Sequence, residues 1–383
     1  MTTATTTRPA IQTTAVIMAM TITLAFIMVT GNLAGDKKVA LLAVGFGLGV
    51  SLYHAAFGFT AAYRRAFQDR DLSGIIAQAV MLVFAMVLFA PLLSNGATGS
   101  VAPIGVSMVL GAFIFGIGMQ LAGACGSGTL FTVGGGSPRM VVVLIFFAIG
   151  GFWGSLDLAW WRTFPEMGGI SLGQELGYGP AVALQTFVII AICYGLYKSG
   201  FTIKRPLWWN GAFSYENLLR GPWPLLLSAI LLALFNWATL LIAGHPWSIT
   251  WAYALWGAKT ATLFGWDATT SGFWATGFQA NALKNSVFLD TTSVMNFAII
   301  IGAFTAASLA GKMALNFKLP WRSWLAAVIG GLLLGYGSRL AYGCNIGAFF
   351  SGIASTSVQG WVWIFVALLG NAVGVRLRPW FQL

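Results

Sequence analysis

Residues 116–128 read Gly-Ile-Gly-Met-Gln-Leu-Ala-Gly-Ala-Cys-Gly-Ser-Gly, and residues 335–347 repeat the pattern as Gly-Tyr-Gly-Ser-Arg-Leu-Ala-Tyr-Gly-Cys-Asn-Ile-Gly. The same offset of 219 residues aligns Gly58 with Gly277 without a gap. Glycines, a Leu-Ala pair and a cysteine recur in fixed register. The sequence therefore predicts that the chain consists of two homologous halves.

Basic residues are distributed differently in the two halves. Residues 64–70 include three arginines, whereas the matching residues 283–289 include a single lysine. Conversely, residues 94–103 carry no charge, whereas the matching residues 313–322 carry a lysine and an arginine. Because short cytoplasmic loops are enriched in Lys and Arg, this change of sides predicts repeats of inverted topology, an architecture that many transporters share.

The composition is that of a membrane protein. The 383 residues are 58% hydrophobic and only 8% charged, and the mean hydropathy is +0.82. Apolar runs of about 20 residues recur along the chain, and each is long enough to cross a hydrocarbon core of about 30 Å as a helix. The runs do not alternate as barrel strands do, so an all-α polytopic membrane protein is predicted. The net charge of +11 lies in short clusters between these runs, which is typical of topogenic charge and not of nucleic-acid binding.

The charges and apolar runs together predict about nine transmembrane helices and two re-entrant helical hairpins, at about residues 39–66 and 249–285. The first repeat half takes residues 1–197, a basic cytoplasmic linker takes 198–222, and the second half takes 223–383. This threading puts the N-terminus outside and the C-terminus in the cytoplasm of a bacterial inner membrane. Irregular backbone at membrane depth is tolerated where protein buries it or water lines it, so the breaks mark the predicted path.

The chemistry is expected at Cys125 and Cys344. Glycines flank both, and each glycine lowers helix stability by about 1 kcal/mol relative to alanine, so an unbroken helix is disfavoured. A helix that restarts there exposes N–H groups at its new N-terminus, and these attract anions. The thiols add weak, neutral, polarizable donors that suit a soft sulfur atom. The alternative is that the glycines allow close helix packing and the cysteines are simply small buried residues.

Five further residues are candidate substrate contacts because they lie in the breaks or in the predicted hairpins: Gly126, Asn345, Gly58, Gly277 and Arg339. An arginine inside an apolar span usually faces a cavity or a partner, and reaching an interface or a backbone carbonyl is the alternative. His54 and Asn281 either line the path or bond backbone. Asp71 and Asp290 follow the hairpins, where capping of the next helix is the simplest prediction.

Residues 335–353 resemble the cysteine motif of the YeeE/YedE family of membrane sulfur-compound transporters. The resemblance continues through the first repeat stretch and both predicted hairpins, so it covers most of the chain. It implies bacterial inner-membrane uptake of thiosulfate or a related compound by a nine-span inverted-repeat fold, in which cysteine thiols and short-helix termini pass the anion along. Cys125 and Cys344 match two family cysteines, whereas Phe57-Gly58-Phe59 stands where better-known thiosulfate importers carry a third.

The sequence thus predicts a transporter, and not an enzyme, that imports a small sulfur-containing anion, thiosulfate above all. Another sulfur or selenium species as substrate, and a membrane thiol oxidoreductase subunit, are the open alternatives. No cofactor, metal site or catalytic residue is predicted, because the three cysteines form no C-x-x-C pair and have no nearby histidine. Expected partners are the anion and the lipid bilayer, with no nucleic acid; a cytoplasmic sulfur-handling protein is left open. Cys193 lacks a repeat mate and is expected to pack.

Overall fold

The computed structural model describes residues 9–209 and 214–383. Residues 1–8 of the predicted first half and 210–213 of the predicted linker lie outside the described residues. Within the described ranges the regular structure is almost wholly helical, which confirms the all-α class. The α-helices are α1 (Thr13–Ala34), α2 (Asp36–Ala55), α3 (Phe59–Asp69), α4 (Ser73–Ser94), α5 (Val106–Ala122), α6 (Gly126–Gly134), α7 (Pro138–Leu156), α8 (Leu158–Trp161), α9 (Leu172–Leu176), α10 (Tyr178–Lys198), α11 (Tyr215–Arg220), α12 (Leu225–Ala243), α13 (Thr250–Leu263), α14 (Gly277–Lys284), α15 (Thr291–Leu309), α16 (Trp321–Leu340), α17 (Ser351–Ala354) and α18 (Val358–Leu377). The remaining elements are a π-helix (Asn345–Phe350), two 3-10 turns (Ala268–Thr270 and Arg378–Phe381) and an antiparallel strand pair, β1 (Ile104–Gly105) with β2 (Glu166–Met167).

Ten segments in the described ranges are long and apolar enough to cross a bilayer, judged by length and composition. Nine of them coincide with the nine predicted crossings. The tenth, Asp36–Asp69, is the segment predicted as the first re-entrant hairpin. The contacts of α2 decide whether this segment turns back or crosses.

Helix α2 runs from one end of the bundle to the other. Lys38 donates a hydrogen bond to Thr291 at the start of α15, and Gly49 lies against Ile299 farther along that helix, so α2 and α15 are parallel. At the far end of α2, the His54 carbonyl accepts a hydrogen bond from the backbone N–H just before α12 (2.9 Å). Twenty helical residues span about 30 Å. The predicted hairpin at 39–66 is therefore wrong. The prediction failed because Lys37 and Lys38, whose charge indicates a cytoplasmic loop, lie at the end of the bundle opposite the other basic clusters.

The two ends of the bundle hold different segments. At one end, named the linker end, Ala56, Gly74 and Leu225 line one small cavity, so α2 ends there and α4 and α12 begin there. At the other end, named the hairpin end, His245 after α12 and Asp290 before α15 line a larger pocket. The segment between them, which contains α13 and α14, leaves from and returns to this end, as predicted for the second re-entrant hairpin.

Both ends of the described chain lie at the linker end. Gln12, just before α1, exchanges two hydrogen bonds with Met313, just after α15. Gly136 also lies beside Met313. Arg139, three residues later, donates to the last carbonyls of α5, and Arg378 donates to a carbonyl of the same turn (2.7 Å). The predicted placement of the termini on opposite sides is thereby corrected, because ten passes return the chain to the end from which α1 starts.

Helix contacts recur in pairs when the halves are exchanged. Helix α2 packs on α15 as α12 packs on α4, α16 packs on α7 as α5 packs on α18, and α1 packs on α15 as α10 packs on α4. The repeat-equivalent Gly116 and Gly335 each lie where a Cβ would come 2.2 Å from a carbonyl oxygen of the partner helix, so glycine permits the close approach. This pairing favours inverted repeats in which α10 is the mate of α1. The boundaries at 197 and 223 stay a prediction.

Candidate functional site

Both predicted helix breaks are present, and their backbones are nearly the same. Between α5 and α6, Cys125 is the N-cap residue, with φ −100° and ψ −167°. Between α16 and the π-helix, Cys344 is the N-cap residue, with φ −121° and ψ −166°. The two cysteines therefore occupy equivalent structural places, as their repeat register predicts.

The two breaks meet inside the protein. A Cβ on Gly126, the first residue of α6, would lie 3.2 Å from Cys344 Sγ, so the bare backbone of one break faces the thiol of the other. Cys125 is 1% exposed and Cys344 is fully buried, so neither thiol faces lipid. Because Gly126 has no side chain, the backbone of one break approaches the thiol of the other without a clash.

The helical segments after the breaks point away from each other. Helix α6 ends with Gly134 beside Ile300 and Ala303 near the linker end of α15. The segment formed by the π-helix and α17 leads to Ser355, whose hydroxyl accepts a hydrogen bond from Ser100 N (2.9 Å) in the loop after α4. The two N-termini therefore meet head to head, and both direct their first N–H groups and the positive ends of their dipoles at the same interior place.

The thiols take part in weak local hydrogen bonds. Cys344 Sγ accepts from Ile346 N at 3.5 Å, and Cys125 Sγ lies 3.5 Å from the Ser127 hydroxyl. Thr129 donates from both its N–H and its hydroxyl to the Cys125 carbonyl (2.9 Å each), which fixes the first turn of α6. Such an arrangement presents a small anion with amide and thiol donors and no fixed charge.

Three polar side chains that the sequence did not single out surround the breaks. The Tyr253 hydroxyl donates to the Gly126 carbonyl (2.9 Å). The Tyr63 hydroxyl donates to Gln78 Oε1 (2.9 Å), and Asn345 Nδ2 lies 3.5 Å from that same hydroxyl. Asn345 Oδ1 is buried and has no hydrogen-bond partner within the described residues. The one available sequence signal was Gln78, an amide in the second turn of the apolar α4.

Gly58 and Gly277, the predicted contact residues in the two loop segments, occupy different places in the structure. Gly58 is the extended N-cap of α3 and lines the small cavity at the linker end. Gly277 begins α14 with φ +67°, a conformation that favours glycine, and it is exposed. The structure thus brings Gly58 toward the interior, beside Gln78, and leaves Gly277 at the surface.

Arg339 faces the re-entrant segment. Its guanidinium carbon lies 5.9 Å from the ring centre of Trp251 and 5.4 Å from that of Phe273. Its Nε and Nη1 are buried and have no hydrogen-bond partner among the described residues. Arg339 therefore packs on the α7 side of α16, against the hairpin aromatics, where a Cβ on Gly154 would touch it at 3.1 Å.

The polar residues predicted in the hairpins mark the two ends. The ring of His54 lies 5.1 Å from that of Trp223 at the linker end. Asn281 lines the pocket at the hairpin end, of about 360 Å³, with Lys38 and His245. The predicted capping role of Asp290 is confirmed, since its carboxylate accepts from Ser293 N (2.8 Å) at the start of α15.

Comparisons with known proteins agree with one another. Residues 54–373 match the family described as Sulphur transport. The chain is 29% identical over 346 residues to the thiosulfate transporter TsuA of Spirochaeta thermophila, covering 86% of this chain and 96% of that protein. It is 23% identical to the thiosulfate transporter TsuA of Escherichia coli over 86% of this chain and 91% of that protein. A stretch of 165 residues, 43% of this chain and 39% of the relative, is 30% identical to the probable transporter YedE of Escherichia coli.

Proposed function

This chain belongs to the sulphur-transport family, and from that premise we propose that it imports thiosulfate along a path formed by its two Gly-Cys breaks. It is a multi-pass membrane transporter for a small sulfur-containing anion and not an enzyme. Two relatives that match over nearly their whole length are named thiosulfate transporters, which supports that substrate for this chain.

The observation that carries the proposal is the meeting of the two breaks. An anion between Gly126 and Cys344 would contact the starts of two helical segments at once, and each dipole contributes up to about 2 kcal/mol in a partly buried geometry. The thiols of Cys125 and Cys344 add neutral donors at the same place. A passing dianion is thereby attracted without a fixed cation that would hold it.

Charge supports import from the hairpin end to the linker end. The linker, the loop before α16 and the first turn of α16 carry seven basic residues: Lys198, Lys204, Arg205, Arg220, Lys312, Lys318 and Arg322. By contrast, the loop of residues 157–177 at the hairpin end carries one arginine and three acidic residues. Because short cytoplasmic loops are rich in Lys and Arg, the linker end is assigned to the cytoplasm of a bacterial inner membrane. A cytoplasmic sulfur-handling protein would receive the anion at this end.

Uptake of labelled thiosulfate into cells, with single cysteine substitutions, tests the path. We expect Cys125→Ala and Cys344→Ala to lower uptake at least tenfold at equal protein levels, which corresponds to about 1.4 kcal/mol in the barrier. Cys193→Ala is the matched control, because this half-buried cysteine lies on α10 and outside both breaks. Unimpaired uptake in all three variants would contradict the cysteine path, and no uptake by the wild type would contradict the substrate.

One observation favours a related substrate as a second candidate. Gly58 stands at the segment in which better-known thiosulfate importers carry a third cysteine, and its neighbours here include Arg65 and Arg205. A larger or differently charged sulfur or selenium oxyanion would suit such a replacement. Competition of unlabelled sulfite, sulfate and selenite against labelled thiosulfate distinguishes the two candidates. A competitor that halves the labelled uptake at a lower concentration than unlabelled thiosulfate does would be identified as the preferred substrate.

A further inference from the structure

We propose that Arg65 and Arg205 form a second anion subsite at the linker end of the path, held closed by Asp71. This inference rests on the proposed function and adds to it a place where the anion waits before release. The subsite is a cavity of about 10 Å³ that Gly58, Arg65, Gln78 and Arg205 help to line. Its binding groups are the two guanidinium groups.

The guanidinium groups have spare hydrogen-bonding capacity. Arg65 Nε and Arg205 Nε and Nη2 are buried atoms without a hydrogen-bond partner in the described part of the chain. Asp71 Oδ2 lies 3.6 Å from each Nε, which is an ion-pair distance and too long for a good hydrogen bond. An oxyanion that replaced this long contact would give the guanidinium groups the short, charge-assisted hydrogen bonds that they lack.

A chain of polar side chains connects this cavity to the breaks. Gln78 lines the cavity and accepts a hydrogen bond from the Tyr63 hydroxyl (2.9 Å). Asn345 Nδ2 lies 3.5 Å from that hydroxyl, and Asn345 follows Cys344 directly. Polar side chains therefore lead from the second break to the cavity that the arginine pair helps to line.

Asp71 is fixed in place and acts as the competing anion. Its Oδ1 accepts from Ser73 N (2.9 Å) and from the Ser73 hydroxyl (2.6 Å), so Oδ2 is left facing the arginines. Two cations and one carboxylate leave a net single positive charge, which attracts a dianion without trapping it. A cavity of about 10 Å³ holds no more than one water, so the subsite is closed in this conformation. The arginine side chains are 26% and 34% exposed, which leaves them room to swing aside.

The test measures half-saturation on each face separately. Labelled thiosulfate flux is recorded in right-side-out and in inside-out membrane vesicles that contain the full chain. We expect Arg65→Gln and Arg205→Gln to raise the half-saturating concentration about tenfold in inside-out vesicles and less than twofold in right-side-out vesicles. Arg205→Lys retains the charge and is expected to restore most of the affinity. Arg322→Gln is the control, because it removes an exposed positive charge of the same end.

A variant of opposite sign keeps the proposal testable if the arginine variants are poorly made. Asp71→Asn retains an oxygen for Ser73 and removes the competing charge, so we expect it to lower the half-saturating concentration in inside-out vesicles at least threefold. A purely structural ion pair predicts no gain of affinity. If the Arg65, Arg205 and Asp71 variants change the half-saturating concentration equally in both types of vesicle, or not at all, while the wild-type flux is normal, the subsite alone is overturned. Absence of wild-type thiosulfate flux would instead overturn the proposed function.

Discussion

Replacement of Gly126 by alanine tests whether the anion passes between the two breaks. The added Cβ would lie 3.2 Å from Cys344 Sγ and 3.4 Å from Ile249 Cγ2, a few tenths of an ångström inside an ordinary contact of 3.5–4.0 Å. Overpacking of this kind costs about 1–3 kcal/mol, and the higher helix propensity of alanine offsets about 1 kcal/mol of it. The backbone tolerates a Cβ, because the repeat mate of Gly126 is Asn345. We therefore expect a folded protein with a net loss of at most about 2 kcal/mol and uptake lowered at least tenfold.

Thermal unfolding in detergent and thiosulfate uptake in cells are measured on the same variant. Gly195→Ala is the matched control: this glycine is also helical, and an added Cβ there meets nothing within 4 Å. It is expected to raise stability by up to about 1 kcal/mol and to leave uptake unchanged. If Gly126→Ala takes up thiosulfate within twofold of the wild type at equal protein level, the anion does not pass between α6 and Cys344.

Two further predictions concern the linker end. Arg139→Met is expected to lower the free energy of unfolding by about 3 kcal/mol or more, because buried Arg139 donates to the Leu121 and Ala122 carbonyls, which would lose their partner; an unchanged melting temperature would contradict this. Burial would raise the pKa of Asp71, but hydrogen bonds from Ser73 and Lys204 N and the charge of Arg205 outweigh it, so the pKa lies below its ordinary value. A lowered folded-state pKa stabilises the protein above the unfolded value of about 3.9 and ceases to do so as pH falls through the folded value. The stability difference between wild type and Asp71→Asn is therefore expected to be constant from pH 8 to pH 5 and to shrink only below about pH 4, and a difference that already changes near pH 6 in calorimetry would refute the assignment.

The sequence predicted the features that local rules control. Glycine density around Cys125 and Cys344 predicted both breaks, since helix propensity is a property of neighbouring residues. The capping by Asp290 follows from the same kind of local rule, and Asp71 likewise accepts from Ser73 N at the start of α4. The repeat register predicted that the two cysteines would be structurally equivalent, and their backbone angles agree within about 20°.

The features that the sequence did not predict depend on contacts between distant segments. Whether α2 turns back or crosses is decided by Lys38 beside Thr291, 253 positions along the chain. Likewise, Tyr253 reaches the break at Gly126 from a re-entrant segment whose fold no local pattern specifies. Arg339 was predicted only as a candidate substrate contact, and no sequence pattern indicated that its side chain would lie against Trp251 of the re-entrant segment. Helical periodicity predicts the face of the helix on which a side chain lies, whereas tertiary packing decides which neighbouring segment that face contacts.

The proposed path has neutral donors at the buried breaks and charged donors at the linker end, and the difference follows from exposure to solvent. A guanidinium at the middle of the bundle would pay a large desolvation cost and would then bind a dianion too tightly for it to leave. Helix N-termini and thiols avoid both problems, because their partial charges need no counter-ion when the site is empty. At the linker end Arg65 and Arg205 are partly exposed and already neutralised in part by Asp71, so the desolvation cost of their full charges is smaller there. On the proposed path, an anion that leaves Cys344 would move from weak neutral donors to a cation pair whose own carboxylate competes for the same hydrogen bonds, and that competition would allow its release.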